Sequence, residues 1–332
     1  VGGHNGEQSL RSAERYDPAA DAWEELPPMS DQRCGALATV LNEKLYICGG
    51  YAGEQNLASA ERFDPSTGAW EPLQPMTEAR RSASAGVLDG YLYICGGSSL
   101  AEYLRSVERL DPSTGAWEGV APMLAERGHA AAAVTGGHMY LCGGSDGHQS
   151  ITSAERFDPM VGGSAAVGAW EALPAMAEGR AAPAATVVAG RIYICGGRDG
   201  AKFLSSAERY DPEASSWEAL RPMSARRGAA AAAVLDGRLY ICGGHDGAEF
   251  RRSVERFDPQ SGNWELLPPM RSRRASASAA TIWSCCGASQ PEAIPTSAPA
   301  PLLLAPDMPM VADAEPLAAP PLTPLSMLGT PV

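Results

Sequence analysis

The sequence has no run approaching the roughly 20 apolar residues that cross a bilayer, so no membrane-spanning helix is expected. No secretory signal is visible. Histidine is scarce: His4, His129, His138, His148 and His245 are the only five, and their spacing fits no metal site. No G-x-S-x-G motif, phosphate-cradling loop or paired carboxylate stands out. No metal, no cofactor and no catalytic residue is therefore expected. Basic residues are also in deficit, 26 against 39 acidic ones, for a net charge of −13. No Lys or Arg follows Arg274, while four acids do (Glu292, Asp307, Asp313 and Glu315), so the part up to Arg274 carries −9. A net acidic body repels phosphate backbones, which argues against nucleic acid as a partner.

What the sequence does have is repetition. The hexapeptide A/V-E-R-aromatic/Leu-D-P occurs six times, starting at Ala13, Ala60, Val107, Ala154, Ala207 and Val254. Its glutamates are spaced 47, 47, 47, 53 and 47 residues apart. Trp23, Trp70, Trp117, Trp170, Trp217 and Trp264 follow the same period, and a Met comes six residues after each. A Tyr-Ile/Leu-Cys-Gly-Gly segment recurs from Tyr46, Tyr93, Tyr140, Tyr193 and Tyr240. The chain opens at Val1 inside such a repeat, so its true start is expected upstream.

Each unit reads as four short strands. Strand a is small and apolar, as in residues 128–134 and 228–234. A tight Asp-Gly turn, as at Asp89-Gly90, leads to strand b, which ends in Cys-Gly-Gly. Strand c is the A-E-R-F-D-P segment. The turn Asp64-Pro65-Ser66-Thr67-Gly68 reverses the chain into strand d, which carries the Trp. Four antiparallel strands every 47 residues or so match a propeller blade. The expected fold is therefore all-β, a six-bladed β-propeller with four antiparallel strands per blade. The blades are expected at about 30–76, 77–123, 124–176, 177–223 and 224–270. The remaining blade combines 1–29 with a C-terminal strand from 271–282, which closes the ring and removes exposed edges. The body is expected to end near residue 283. Residues 284–332, rich in Pro and Ala, are expected to form a disordered tail.

Five of the eight cysteines, Cys48, Cys95, Cys142, Cys195 and Cys242, fall at one repeated position. Equivalent strands of different blades lie too far apart for a disulfide. These cysteines are expected to be reduced and buried, which favours a cytoplasmic or nuclear protein. Cys285 and Cys286 are adjacent and have no assigned role.

The double Gly, the aromatic before Asp-Pro and the Trp six residues after that Asp resemble the Kelch repeat. The fuller wording, GG-x-D-G, S-A/V-E-R-Y-D-P, W, PM, R, resembles the Kelch-like family of substrate adaptors, over residues 1 to about 282. The resemblance implies a protein-protein interaction module, the substrate-recognition propeller of a cullin-RING ubiquitin ligase adaptor. In that family BTB and BACK domains precede the propeller and contact the cullin, so this chain would reach the ligase only through such domains. Some Kelch proteins bind actin, so a cytoskeletal scaffold is the alternative. Kelch-type copper enzymes want clustered His and Tyr ligands, which are not seen here.

In an up-and-down blade the d–a and b–c connections share one face. The d–a loops place an Arg four residues after each Met: Arg33, Arg80, Arg127, Arg180, Arg227 and Arg274. Such a ring could hold carboxylates, or each Arg could make a structural bond to a neighbouring blade. Positions that vary between blades should set specificity. By carry-over from the Kelch-like surface that grips peptide degrons, Tyr51, Arg80, Arg81, Arg198, Arg227 and His245 are expected contacts. Phe203 and Phe250 would add apolar anchoring. The expected partner is a protein or peptide ligand, acidic if the arginines face it, with no nucleic acid and no membrane.

Overall fold

The computed structural model describes residues 1–3, 8–17, 22–161, 168–270, 273 and 275. Its regular elements are all β-strands. Five four-stranded antiparallel sheets follow one another along the chain. In the fourth blade the strands are Ala131–Thr135, His138–Cys142, Ala154–Asp158 and Ala169–Leu173, paired in that order. The second, third, fifth and sixth blades repeat the pattern from Leu37, Ser84, Ala184 and Ala231. The innermost strands pack against one another in chain order, the second blade's on the third's and so on to the sixth's.

The first unit differs from the six-bladed expectation. Among the described residues it is a two-stranded sheet, Ala13–Asp17 paired with Ala22–Leu26. The count of complete blades is therefore five. Gly2 and Gly3 nevertheless sit as the glycine pairs of complete blades do. Gly3 N–H donates to Arg33 C=O at 2.8 Å, as Gly50 N–H donates to Arg80 C=O at 2.9 Å. The strand expected from 271–282, the tail from 284, and Cys285 and Cys286 lie outside the described residues, as does most of the insertion after Val161.

Strand a begins three residues later than the sequence suggested, at Ala131 and Ala231. The residues before it belong to the loop face, where Gly128 and Gly228 bridge to Ser145 and His245. Strand b stops at its Cys because both following glycines take left-handed backbone, as at Gly49 (φ 64°) and Gly50 (φ 101°).

The core lies between blades. One cluster joins Tyr93, Cys95 and Met123 of the third blade to Met139, Leu141 and Phe157 of the fourth. The Phe157 ring is 5.4 Å from Tyr93 and 5.1 Å from Trp170. The indoles of Trp70, Trp117, Trp170, Trp217 and Trp264 are half-buried rather than fully covered. Trp170 Nε1–H crosses to the preceding blade and donates to Ala121 C=O at 2.8 Å; Trp70, Trp117, Trp217 and Trp264 make the same crossing.

Cys48, Cys95, Cys142 and Cys195 are free and buried, as their repeated position implied; Cys242 is partly exposed. Burial pushes the thiols of Cys48, Cys142 and Cys195 up to about 12 against a small opposing pull from the nearest buried Arg, and raises Cys95 likewise. The thiolate is the reactive form. At pH 8 iodoacetamide should therefore modify half-buried Cys34 in the native protein and leave these four intact until denaturation. Peptide mass mapping reads the outcome, and equal native and denatured labelling of the four would contradict it.

Candidate functional site

The d–a and b–c loops come together in every complete blade. The residue after the glycine pair bridges to the residue after the repeated Arg: Tyr51 to Cys34, Ser98 to Arg81, Ser145 to Gly128, Arg198 to Ala181 and His245 to Gly228. Both positions vary between units. The sequence placed both on one face, and the structure joins them by paired backbone hydrogen bonds of 2.7–3.1 Å.

The repeated arginines do not stand on this rim. Arg33, Arg80, Arg127, Arg180 and Arg227 are 0–1 % exposed. Each guanidinium points into its own blade. Arg127 donates to Gly143 C=O (2.9 Å), Ser153 C=O (2.8 Å), Ser153 Oγ (2.8 Å) and Glu155 (2.7 Å). The other four bond the equivalent glutamates Glu61, Glu108, Glu208 and Glu255. Each Glu also accepts the backbone N–H one residue after the Met, as Glu155 does from Leu124 at 2.6 Å. The d–a loop is thus wound around a strand-c carboxylate. At Glu61 burial raises the carboxyl, but the Ser30 N–H and Arg33 outweigh it and hold it below the usual range. The expectation that these arginines grip a ligand is corrected for these five, whose guanidiniums are buried and bonded inside the blade, although Arg80 Nε has no partner there. Arg274 lies outside the described residues.

Meanwhile the Arg backbone ties neighbouring blades. Arg127 N–H donates to Leu104 C=O (3.0 Å), and Arg127 C=O accepts from Gly97 N–H (2.7 Å), both in the preceding blade. Two residues on, a left-handed residue carries the chain around the mouth of the channel: Gly35, Ser82, His129, Ala182 and Ala229. Their amides run head to tail, Ser82 N–H to Gly35 C=O, then His129 to Ser82, Ala182 to His129 and Ala229 to Ala182, at 2.8–3.0 Å. Below this ring, residues 130–132, 183–185 and 230–232, eight alanines and one proline, line a hollow in the channel wall.

A further position was missed in the sequence. Six residues after the second glycine, one side chain of each of the first five units crosses to the next blade. Ser9 Oγ donates to Tyr51 C=O (3.0 Å), Asn56 Nδ2 to Ser98 C=O (2.7 Å) and Ser150 Oγ to Arg198 C=O (2.8 Å). In the other two crossings an aromatic ring replaces the hydrogen bond. Tyr103 lies against Gly128 and Gly147, and Phe203 against Gly228 and Gly247, so closely that a β-carbon at Gly128 or Gly228 would come within 2.6 or 2.8 Å of the ring. The signal was legible: a Gly after the repeated Arg accompanies an aromatic in the preceding unit, whereas Cys34, Arg81 and Ala181 accompany Ser or Asn.

Of the expected contacts, the structure gathers two groups. Arg81 is exposed and stacks its guanidinium 5.1 Å from the Tyr51 ring. In the fifth and sixth blades, His245 lies between Phe203 (5.2 Å) and Phe250 (4.8 Å). His245 Nδ1 accepts from Gly247 N–H at 3.1 Å, which leaves Nε2 to carry the proton of the neutral ring. Phe203 is therefore partly committed to the blade junction and offers only its outer edge. Arg198 is exposed on its short hairpin with Phe203. Among the described residues no acid pairs with Arg81 or Arg198, whereas neighbouring Arg251 is held by Asp246 and Glu249. Burial raises the Asp246 carboxyl, but N–H bonds from Glu249 and Ala248, with Arg251, bring it down to about 2.

Comparison with known proteins agrees with this architecture. The family model described as the KLHDC2/KLHL20/DRC7 Kelch-repeats domain matches residues 1–144 and 121–285. The solved structure titled "Structure of YjhT" superposes with a TM-score of 0.67 at 14% identity, covering 80% of this chain and 96% of that one. At that identity the likeness speaks for the fold alone. No curated protein matches the chain in sequence.

Proposed function

The chain belongs to the Kelch-repeat domain family, and from that premise we propose that its joined d–a/b–c face recognises a protein or peptide, as the substrate-recognition propeller of a cullin-RING ligase adaptor. The observation that carries the reading is the construction of the rim. Its backbone is bridged in the same way in every complete blade, while the side chains at the bridge differ from blade to blade. A uniform scaffold with non-uniform side chains is what selective recognition needs. The contacts proposed are Tyr51, Arg81, Arg198, His245 and the exposed edges of Phe203 and Phe250. Arg81 and Arg198 carry the charge, since both are exposed and unpaired by acids among the described residues.

Affinity capture on the full chain, followed by mass spectrometry, tests this. Arg81→Ala with Arg198→Ala should reduce retained partner about tenfold or more while the unfolding midpoint stays in place, as expected where interface arginines are truncated. Unchanged capture would remove the rim from the reading. Retention of cullin-linked adaptors or their substrates supports the ligase role. Sedimentation of the propeller with actin filaments at micromolar concentration would favour a cytoskeletal scaffold instead.

We infer further that residues 271–282 complete the ring as a sixth innermost strand beside the first unit. The position of Gly2 and Gly3 supports this, as does the head-to-tail amide series around the channel. Deleting residues 271–332 should therefore lower the unfolding midpoint, whereas deleting 284–332 should leave it unchanged.

A further inference from the structure

The rim of the sixth blade holds a neutral hydrogen-bond donor that has no partner. His245 is tied by backbone bridges to Gly228 on one side and to Phe250 on the other. Its Nδ1 accepts the Gly247 N–H at 3.1 Å, so the neutral ring carries its proton on Nε2. That Nε2–H has no acceptor among the described residues. It is open to solvent. His245 is half-buried, and the buried side-chain atoms without a partner are Asn56 Oδ1 and the Nε atoms of Arg80, Arg156 and Arg251. In the fourth blade Ser145 Oγ closes the same turn by accepting from Gly147 N–H at 3.2 Å. The turn therefore needs only an acceptor, and the imidazole adds a donor that the turn does not use. Two rings flank that donor. Phe203 lies 5.2 Å from the imidazole at 64°, and Phe250 lies 4.8 Å from it at 57°. Both are half-buried, so each keeps an exposed edge. The loop that carries His245 and Phe250 has no unpaired charge: Asp246 and Glu249 are both engaged by Arg251, and Glu249 also by Arg273.

We propose that this slot takes an apolar side chain of the partner together with a main-chain carbonyl beside it. The side chain lies against Phe203 and Phe250, and the carbonyl accepts from His245 Nε2–H. The inference rests on the reading of the rim as a peptide-binding face and adds the chemistry of one subsite. A carboxylate is the poorer fit. It pairs best with an imidazolium, in which both nitrogens donate, and Nδ1 here is committed to accepting from Gly247. A carboxylate would also give up hydration between two rings, in a loop that carries Asp246 and Glu249. A main-chain carbonyl asks only for a neutral donor. The water excluded by the apolar contact strengthens that hydrogen bond, because the local dielectric falls. The bridges to Gly228 and Phe250 hold the imidazole in place before a partner arrives, so little ordering is left to be done on binding.

The fourth blade supplies the control. His245→Ser keeps an acceptor for Gly247, as Ser145 does for Gly147, and removes the Nε2 donor, so the unfolding midpoint should stay in place. The probe is a random twelve-residue peptide library displayed on phage and selected on the intact chain, with the retained peptides resynthesised. One apolar position should lose about tenfold in affinity when changed to Ala, and Phe250→Ala in the protein should remove most of that difference. A thioamide, whose sulfur is a poor acceptor, in place of one main-chain carbonyl beside that position should cost about fivefold on the native protein. The same thioamide should cost nothing on His245→Ser. Absence of an apolar position coupled to Phe250, a thioamide cost that survives in His245→Ser, or coupling of Phe250 and His245 to an Asp or Glu of the peptide would overturn the subsite and leave the face intact. A library from which nothing is retained would overturn the face and the subsite together.

Discussion

Arg127→Ala should destabilise the protein by about 3–5 kcal/mol, the cost of removing one partner from a buried charge pair. Three effects point the same way. Glu155 would keep its charge in a site where Arg127 is its only cationic partner among the described residues. The Gly143 carbonyl would lose its donor, and the Ser153 carbonyl one of two (Gly143 N–H remains, at 3.1 Å), at the point where strand b hands over to strand c. The loop that begins at Leu124 would lose its side-chain tie to Glu155, although Glu155 would still hold the Leu124 amide. For a body of this size each kcal/mol moves the thermal midpoint by roughly 2–4 °C, so a fall of about 6 °C or more is expected by calorimetry. Arg127→Lys should recover little, because an ammonium cannot reach two carbonyls, a hydroxyl and a carboxylate in one plane. Arg81→Ala is the contrast, since that side chain is exposed and should leave the midpoint within about 0.5 kcal/mol of the parent. A variant at Arg127 with the parent's midpoint would mean that the inward pairing is energetically idle.

The burial of these arginines was the main thing the sequence reading left open, and the reason is physical. A sixfold repeated Arg on a loop is compatible with a ring around a ligand and with a ring of identical internal bonds. What separates the two is the partner. Arg33, Arg80, Arg127, Arg180 and Arg227 each have a Glu 28 residues downstream, at Glu61, Glu108, Glu155, Glu208 and Glu255. A charge that repeats without exception beside an opposite charge that repeats as faithfully describes a blade, whereas a ligand site needs asymmetry. The all-β architecture and the shared loop face were legible because the Trp, the Met and the glycine pair recur at fixed offsets. The start of strand a was misplaced because Ala and Gly read as strand in either setting. Only the left-handed backbone at Ser82, His129 and Ala182 moves the boundary inward. Phe203 was read as an anchor for a partner, and part of its surface is spent on Gly228 and Gly247. That division becomes visible only when neighbouring units are compared as pairs rather than aligned as copies.

Gly196→Ala should be the most damaging single-methyl change among the glycines of the fifth blade. Gly196 has φ 66°, a conformation that costs an L-residue about 1–2 kcal/mol. A β-carbon there would lie 2.2 Å from Arg227 C=O, a backbone atom that cannot swing aside. That carbonyl is already held at 2.8 Å by Gly197 N–H, so relief requires the sixth blade to move away from the fifth. Overpacking of this kind adds about 1–3 kcal/mol, and the displaced Arg227 would loosen its bonds to Glu255 and Gly243 as well. Gly190→Ala separates the two contributions. Gly190 is also left-handed, at φ 76°, but has nothing within 4 Å of an added β-carbon. It should lose only the backbone part, about 1–2 kcal/mol. Denaturant titration of both variants measures the difference. If the two lose the same stability, the glycine pair is conserved in each unit for its backbone angles alone, and the close approach of neighbouring blades does not constrain it. If Gly196→Ala loses several-fold more, the pair is the contact that sets how near one blade can stand to the next, and with it the width of the joined loop face.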